Sequence, residues 1–181
     1  GTLQAFSNEV KTSIMLQKRP EFLYLKTASV VGENQIKIKF LGDTSAFLKS
    51  FRVYRSTKYG TPDTLANELG FFKNSPYYEF TDMNVNSNDN SYYYMVSCID
   101  SCNNQVLNSN IVRTIFLEAK QGMNDVENEL NWNEFEGWLS ESNSYTILRA
   151  IDKSNNYETV VTVPYKLNKY YDDVEDYLSS K

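Results

Sequence analysis

The sequence feature that most constrains the fold is an internal repeat with a long period. Ser7–Thr12 (SNEVKT) returns in altered form as Ser109–Thr114 (SNIVRT), and Ser50–Arg55 (SFRVYR) returns as Ser144–Arg149 (SYTILR). The copies lie about 100 residues apart, whereas a solenoid unit has roughly 20–50. Such a period suits whole domains in series. The repeat therefore predicts tandem domains rather than a solenoid.

Short strand signals fill the segment between the repeated phrases. Ile36, Ile38 and Phe40 alternate with polar residues, which places all three on one face of a strand. Polar turn residues separate this strand from its neighbours. Seven short strands joined by turns are typical of an all-β, antiparallel immunoglobulin-like sandwich. The predicted strands are 22–27, 35–40, 50–55, 77–80, 92–99, 106–107 and 110–117.

One segment of this region carries helical signals. Residues 63–70 (DTLANELG) follow a proline, begin with a capping residue and end in glycine. The segment is short, so the pattern is compatible with a helical turn or with a loop that covers a sheet edge.

Composition argues against several classes of function. A net charge of −5 lacks the basic footprint that binds nucleic acid, and no apolar stretch is long enough for a membrane span. Histidine is absent, which removes the commonest general base and metal ligand. The chain also lacks a glycine-rich phosphate loop and a nucleophile elbow. We therefore predict no enzyme activity, no cofactor and no metal site.

The two cysteines, Cys98 and Cys102, have two interpretations. In a fully extended strand their Cα atoms would lie about 13 Å apart, beyond the roughly 7 Å that a disulfide tolerates. A tight turn after Asp100 would close that gap. The first interpretation is a buried Cys98 with an exposed thiol at Cys102, and the second is a local disulfide in an exported protein.

Four aromatic residues are candidates for a ligand platform that stacks on sugar rings: Trp138, Tyr77, Tyr93 and Tyr170. Aromatic residues at strand spacing also pack within sheets, which is the alternative. Two acidic runs, at 127–136 and 172–176, are interpreted as solvated faces rather than as a glycosidase or calcium site.

The segment Tyr94-x-Val96-x-Cys98 resembles the Tyr-x-Val-x-Ala core strand of fibronectin type III domains. The resemblance implies that Tyr94 makes the corner hydrogen bond and that Val96 and Cys98 point inward. It also implies that Phe40 and Trp132 occupy the place of the second-strand tryptophan in successive repeats.

A second resemblance is more specific. Residues 130–138 (LNWNEFEGW) resemble the L-x-W-N-x-Y-x-G-W run of large exported Bacteroidetes cell-surface proteins with gliding-motility-associated C-terminal domains. The turn at 98–103 is similar to their A-x-D-x-C-G-N segment, although Asn104 stands here without the glycine. This resemblance implies an extracellular or cell-surface location.

Alignment of the repeats sets the expected domain boundaries. Residues 1–17 are the last strand of a preceding sandwich, 18–117 a complete fibronectin type III-like domain, and 118–181 the first strands of a further, incomplete one. An incomplete sandwich would expose its core and an unpaired edge. We expect either a fragment of a longer array or a missing strand supplied by another chain.

The expected function is a non-catalytic structural or adhesive segment that spaces or presents other modules of a surface protein. The alternative is a carbohydrate-binding or substrate-positioning module of a surface glycan-processing system. The expected partners are neighbouring domains, a protein or glycan at a surface, and another copy through strand exchange. Nucleic acid and membrane insertion are not expected.

Overall fold

A computed structural model describes residues 1–4, 7–11, 18–137, 144–150 and 156–175. These ranges contain thirteen β-strands: β1 Leu23–Gly32, β2 Gln35–Gly42, β3 Ser50–Ser56, β4 Thr64–Gly70, β5 Tyr77–Asp82, β6 Tyr93–Ile99, β7 Gln105–Asn108, β8 Val112–Arg113, β9 Leu117–Gln121, β10 Glu127–Trp132, β11 Ser144–Ala150, β12 Tyr157–Pro164 and β13 Lys169–Asp173. Within the same ranges no helix has the length and apolarity needed to span a membrane.

Residues 18–117 form two packed antiparallel sheets. One has the strand order β1-β2-β5, and the other has the order β4-β3-β6-β7 with β8 also pairing to β6. The predicted face of β2 is confirmed, because Ile36, Ile38 and Phe40 are all buried in the core between the sheets. The all-β, antiparallel fold class predicted from the sequence is therefore confirmed.

Strand β6 is the centre of this sandwich. Every residue from Tyr93 to Ile99 is buried. Its inward residues, Tyr94, Val96 and Cys98, belong to the main hydrophobic cluster. On the outer face, the ring of Tyr93 is covered by Tyr59 and by the Arg113 guanidinium, 5.1 Å from the ring centre. Loss of β6 would therefore uncover the core between the sheets.

Both interpretations of residues 63–70 were wrong. The segment is strand β4, which pairs antiparallel with β3 from Ser50↔Gly70 to Arg55↔Thr64. The helical signals are overridden because β3 has an edge whose backbone groups need partners, and local propensity is weaker than that pairing.

Residues 117–173 form two smaller sheets. One has the order β13-β10-β9, and the other is the β11-β12 pair. Their shared core consists of Leu130, Trp132 and Val163, with Tyr145 packed edge-on at 5.7 Å from Trp132. The core is small because only these strands contribute to it.

The described N-terminal residues, 1–4 and 7–11, form no strand and are exposed. Val10 has 74% of its surface accessible, although its counterpart Val112 is fully buried. The assignment of residues 1–17 to a preceding domain stays a prediction, as do the other domain boundaries.

Candidate functional site

Several side-chain hydrogen bonds lie at the junction between the two groups of sheets. Asn110, just before β8, clamps three backbone groups. Its side-chain oxygen accepts from the Leu25 N–H at 2.9 Å, and its amide nitrogen donates to the carbonyls of Leu25 at 3.0 Å and Gly137 at 2.7 Å. Asn110 therefore ties β1 of the sandwich to the chain that follows β10.

Asn133 makes the reciprocal contact from the other side. Its side-chain oxygen accepts from the Phe116 N–H at 2.7 Å, and its amide nitrogen donates to the Thr114 carbonyl at 3.0 Å. The three residues between β8 and β9 are consequently held at both ends. They cannot act as a free hinge while these bonds persist.

A backbone bridge and an ion pair complete the junction. The Arg113 N–H donates to the Glu136 carbonyl at 3.0 Å, and the two side chains approach to 3.2 Å. Phe135 packs against the core of the first sandwich, while its N–H donates to the Tyr145 hydroxyl of the second group. Apolar and polar contacts thus link the same two bodies.

Gly137 is required at this place by its conformation and its surroundings. Its φ of 117° lies in a region that residues with a side chain rarely adopt. A Cβ atom here would collide with the Ile111 carbonyl and come within 2.7 Å of Val112 Cγ2. Any larger residue would push the two bodies apart.

A buried charged cluster closes the first sandwich. Asp82 is 1% exposed, and its carboxylate accepts from Arg55 at 2.6 and 2.7 Å and from the Tyr94 hydroxyl at 3.0 Å. Burial and the nearby Asp82 charge raise the pKa of Tyr94, which keeps this hydroxyl a donor. The bond implied for Tyr94 is thus made to a side chain, while Tyr92 accepts from the Asn86 N–H at 2.8 Å.

An open apolar groove lies between the two sheets of the second group. Its volume is about 510 Å³, and Leu130, Trp132 and Ile147 form part of its wall. Leu117, at its rim, is 55% exposed. At one end the Asp172 carboxylate accepts from Arg149 at 2.9 Å.

The predicted aromatic platform is not assembled by the described residues. Tyr77 lies on β5 and is 68% exposed, Tyr93 is buried on β6, and Tyr170 packs against the small core of the second group. These three tyrosines lie on three different sheets. Trp138 lies outside the described residues.

The cysteines are both free thiols in the structure. Cys98 is buried in the core and Cys102 is exposed in the turn. Burial raises the pKa of the Cys98 thiol to about 12, so it is a poor nucleophile. The Asp100 side chain accepts from the Cys102 and Asn104 N–H groups, which shapes the turn. A disulfide between the two cysteines stays a prediction.

The acidic runs are engaged in ion pairs and turns. Glu129 lies 3.1 Å from Lys120 and 3.2 Å from Lys169, and a hydrogen bond from Asn131 together with these lysines lowers its pKa to about 2. Asp173 accepts from the Glu175 N–H. In the described ranges, no three cysteine, aspartate or glutamate side chains are grouped to hold a metal ion.

Sequence reasoning missed the junction residues Asn110, Asn133 and Gly137. The signal was present, because Asn110 belongs to the repeated phrase, and Asn133 and Gly137 belong to the 130–138 motif. Both motifs were interpreted as family signatures, whereas the structure shows what these side chains bind.

No protein-family model matches the chain, and no curated protein is significantly similar to it. Among solved structures, the chain is similar to a Fn3-like protein from Clostridium thermocellum, with 24% identity, a TM-score of 0.38, and coverage of 54% of this chain and 91% of that one. It is also similar to a β-1,2-glucanase from Parabacteroides distasonis, with 22% identity and a TM-score of 0.37. That match covers 54% of this chain and 13% of the glucanase.

Proposed function

We propose that the chain is a non-catalytic structural segment of an exported bacterial surface protein, in which β-sandwich units in series space or present other modules. The observation that carries the proposal is the junction, where Asn110, Asn133 and Gly137 fix one unit on the next. A spacer needs a rigid connection between its units, whereas a binding module that moves independently does not need one.

The junction is rigid because several hydrogen bonds cross the three-residue connection between β8 and β9. A flexible linker is rich in glycine and serine and leaves its backbone solvated. Here Ile115 and its neighbours are flanked by bonded backbone groups, and Phe135 adds an apolar anchor. Bending at this point would break several hydrogen bonds together, each with a net value of about 1 kcal/mol.

The placement on a cell surface of the Bacteroidetes type rests on the 130–138 motif. Two of its positions, Asn133 and Gly137, bind across the junction, which gives the motif a mechanical purpose consistent with serial repeats. The dispersed tyrosines do not favour the carbohydrate-binding alternative.

The proposal is tested by measuring the orientation of the two units in solution. A spin label on the exposed native Cys102 and a second on a T159C variant report one distance across the junction by double electron–electron resonance. We expect a single narrow distance distribution in the otherwise unaltered chain. Gly137→Ala and Asn133→Ala should broaden it.

Asn74→Ala, in an exposed turn away from the junction, is the matched control and should leave the distribution narrow. A broad distribution in the unaltered chain would show that the units move independently and would overturn the spacer function.

A further inference from the structure

The second group of sheets repeats parts of the framework of the first sandwich. Strands β3 and β11 each carry a bulge at the same relative place, between Val53 and Tyr54 and between Ile147 and Leu148. Each strand also sends an arginine near its end to a buried aspartate: Arg55 binds Asp82, and Arg149 binds Asp172. The two halves can therefore be compared position by position.

The comparison identifies which surface differs. In the first sandwich β3 pairs with β4 on one side and with β6 on the other. Within the described ranges β11 pairs with β12 alone, so its second edge has no strand beside it. Leu25 and Leu117 stand opposite Phe40 and Trp132 respectively, and they are 0% and 55% exposed.

Strand β6 shows what covers the equivalent surface. Tyr94 lies opposite Arg55 and binds Asp82, while Val96 and Cys98 lie opposite Val53 and Phe51. All three inward residues of β6 are fully buried.

Two polar groups at the groove lack the partners that such a strand supplies. Asp172 is 5% exposed, and only one of its carboxylate oxygens accepts from a described residue, Arg149. Trp132 lines the groove and is 8% exposed, yet its indole N–H has no hydrogen-bond partner within the described chain. A buried donor left unpaired costs about 1–3 kcal/mol, so the groove favours an occupant with acceptors over a purely apolar one.

We propose that this groove binds one extended polypeptide strand of the β6 type. Its tyrosine lies opposite Arg149 and donates its hydroxyl to Asp172. The next two alternate residues are apolar and lie opposite Ile147 and Tyr145, covering the Trp132 ring. Its backbone pairs with the middle of β11, from Tyr145 to Leu148, on the side away from β12, as strands add to sheet edges elsewhere.

The test uses a fluorescent synthetic peptide of residues 91–114, which carries β6 through β8, added to the full chain. We expect saturable binding by fluorescence anisotropy. The same peptide with Tyr94→Phe lacks the hydroxyl and should bind about tenfold more weakly, as for loss of one hydrogen bond to a charged group. Hydrogen exchange should slow at 117–132 and 144–150.

Leu117→Lys in the full chain should abolish binding without unfolding it, because Leu117 is already exposed. Leu65→Lys is the matched control, since Leu65 is 52% exposed on β4 of the closed sandwich. This control should bind the peptide as the unaltered chain does.

Three outcomes overturn the proposal. The first is no saturable binding, and the second is equal binding to the Leu117→Lys chain. The third is tighter binding of a peptide of residues 7–12, accompanied by self-association of the chain that Leu117→Lys abolishes. That result would assign the groove to the N-terminal segment of a second copy instead.

Discussion

In residues 18–117 strand β6 pairs with one edge of β3. The equivalent edge of β11 has no partner strand in the described ranges. The consequence is measurable on matched residues. Leu25 is fully buried and Leu117 is half exposed, although both lie opposite the large aromatic residue of the second strand of their sheet.

The difference shows which strands provide the pairing framework and which strand buries the core. The strands that both halves contain set the framework, including the bulge of β3 and β11 and the arginine–aspartate pair, because these features appear in both halves. Strand β6 supplies the burial, because its inward residues cover the core. The pairing of the shared strands and the covering of the core by β6 are therefore separate contributions to stability. The predictions below test each in turn.

The largest expected effect is the loss of stability when a core side chain is truncated. Phe51→Ala should lower the free energy of unfolding of the first sandwich by about 3–5 kcal/mol, because Phe51 is fully buried against Phe40 and Tyr78. The matched change Tyr145→Ala should lower that of the second group by less than half as much, because its ring is only half-buried.

Urea denaturation followed by hydrogen exchange measures each half separately. Equal losses in the two variants would mean that the second group is packed as tightly as the first, and the comparison would fail.

The alternation of apolar residues was enough to predict part of the first core. Ile36, Ile38 and Phe40 were assigned to one face of a strand from spacing alone, and all three are buried. Spacing succeeds here because side chains on a strand alternate between faces, so one buried face imposes a period of two.

Two features could not be read from spacing. The β4 segment carries helical signals in its sequence, and its state is decided by the free edge of β3, a distant part of the chain. The junction depends on the side chains of Asn110 and Asn133 reaching backbone groups of another unit. Asparagine also suits turns, so its type alone does not reveal such a partner.

The second prediction compares the two copies of the repeated phrase. Asn110→Ala should cost about 2–3 kcal/mol, because it leaves backbone groups of Leu25 without their partner. Asn8→Ala, at the matching place in the exposed N-terminal segment, should leave stability unchanged. Thermal unfolding of the two variants measures the contrast, and a comparable loss in Asn8→Ala would show that this segment is engaged in solution.

The third prediction concerns the bond that β6 adds to the framework. Tyr94→Phe should cost about 1.5 kcal/mol, because Asp82 loses one donor but keeps Arg55. The cost of Tyr94→Phe should be smaller in an Asp82→Asn background, because the Asn amide oxygen still accepts from Tyr94 but forms a weaker, uncharged hydrogen bond; a double-mutant cycle measures the difference. A coupling energy of zero would mean that the charge of Asp82 does not strengthen its bond to the Tyr94 hydroxyl.

The smallest effect is the pH dependence of the open half. The hydrogen bond from Asn131 and the ion pairs with Lys120 and Lys169 lower the pKa of Glu129 from 4.5 to about 2 in the folded chain, so these contacts stabilise the fold fully above pH 4.5. That contribution is lost as the pH falls from 4.5 towards 2. The protection factors of the β10 and β13 amides, corrected for the pH dependence of intrinsic exchange, should fall across this window in the unaltered chain, and less steeply in Glu129→Gln. High salt should shrink the difference, since Glu129 and both lysines reach solvent and their attraction is screened. Identical profiles for the two chains would show that the open half draws its stability from its small aromatic core alone.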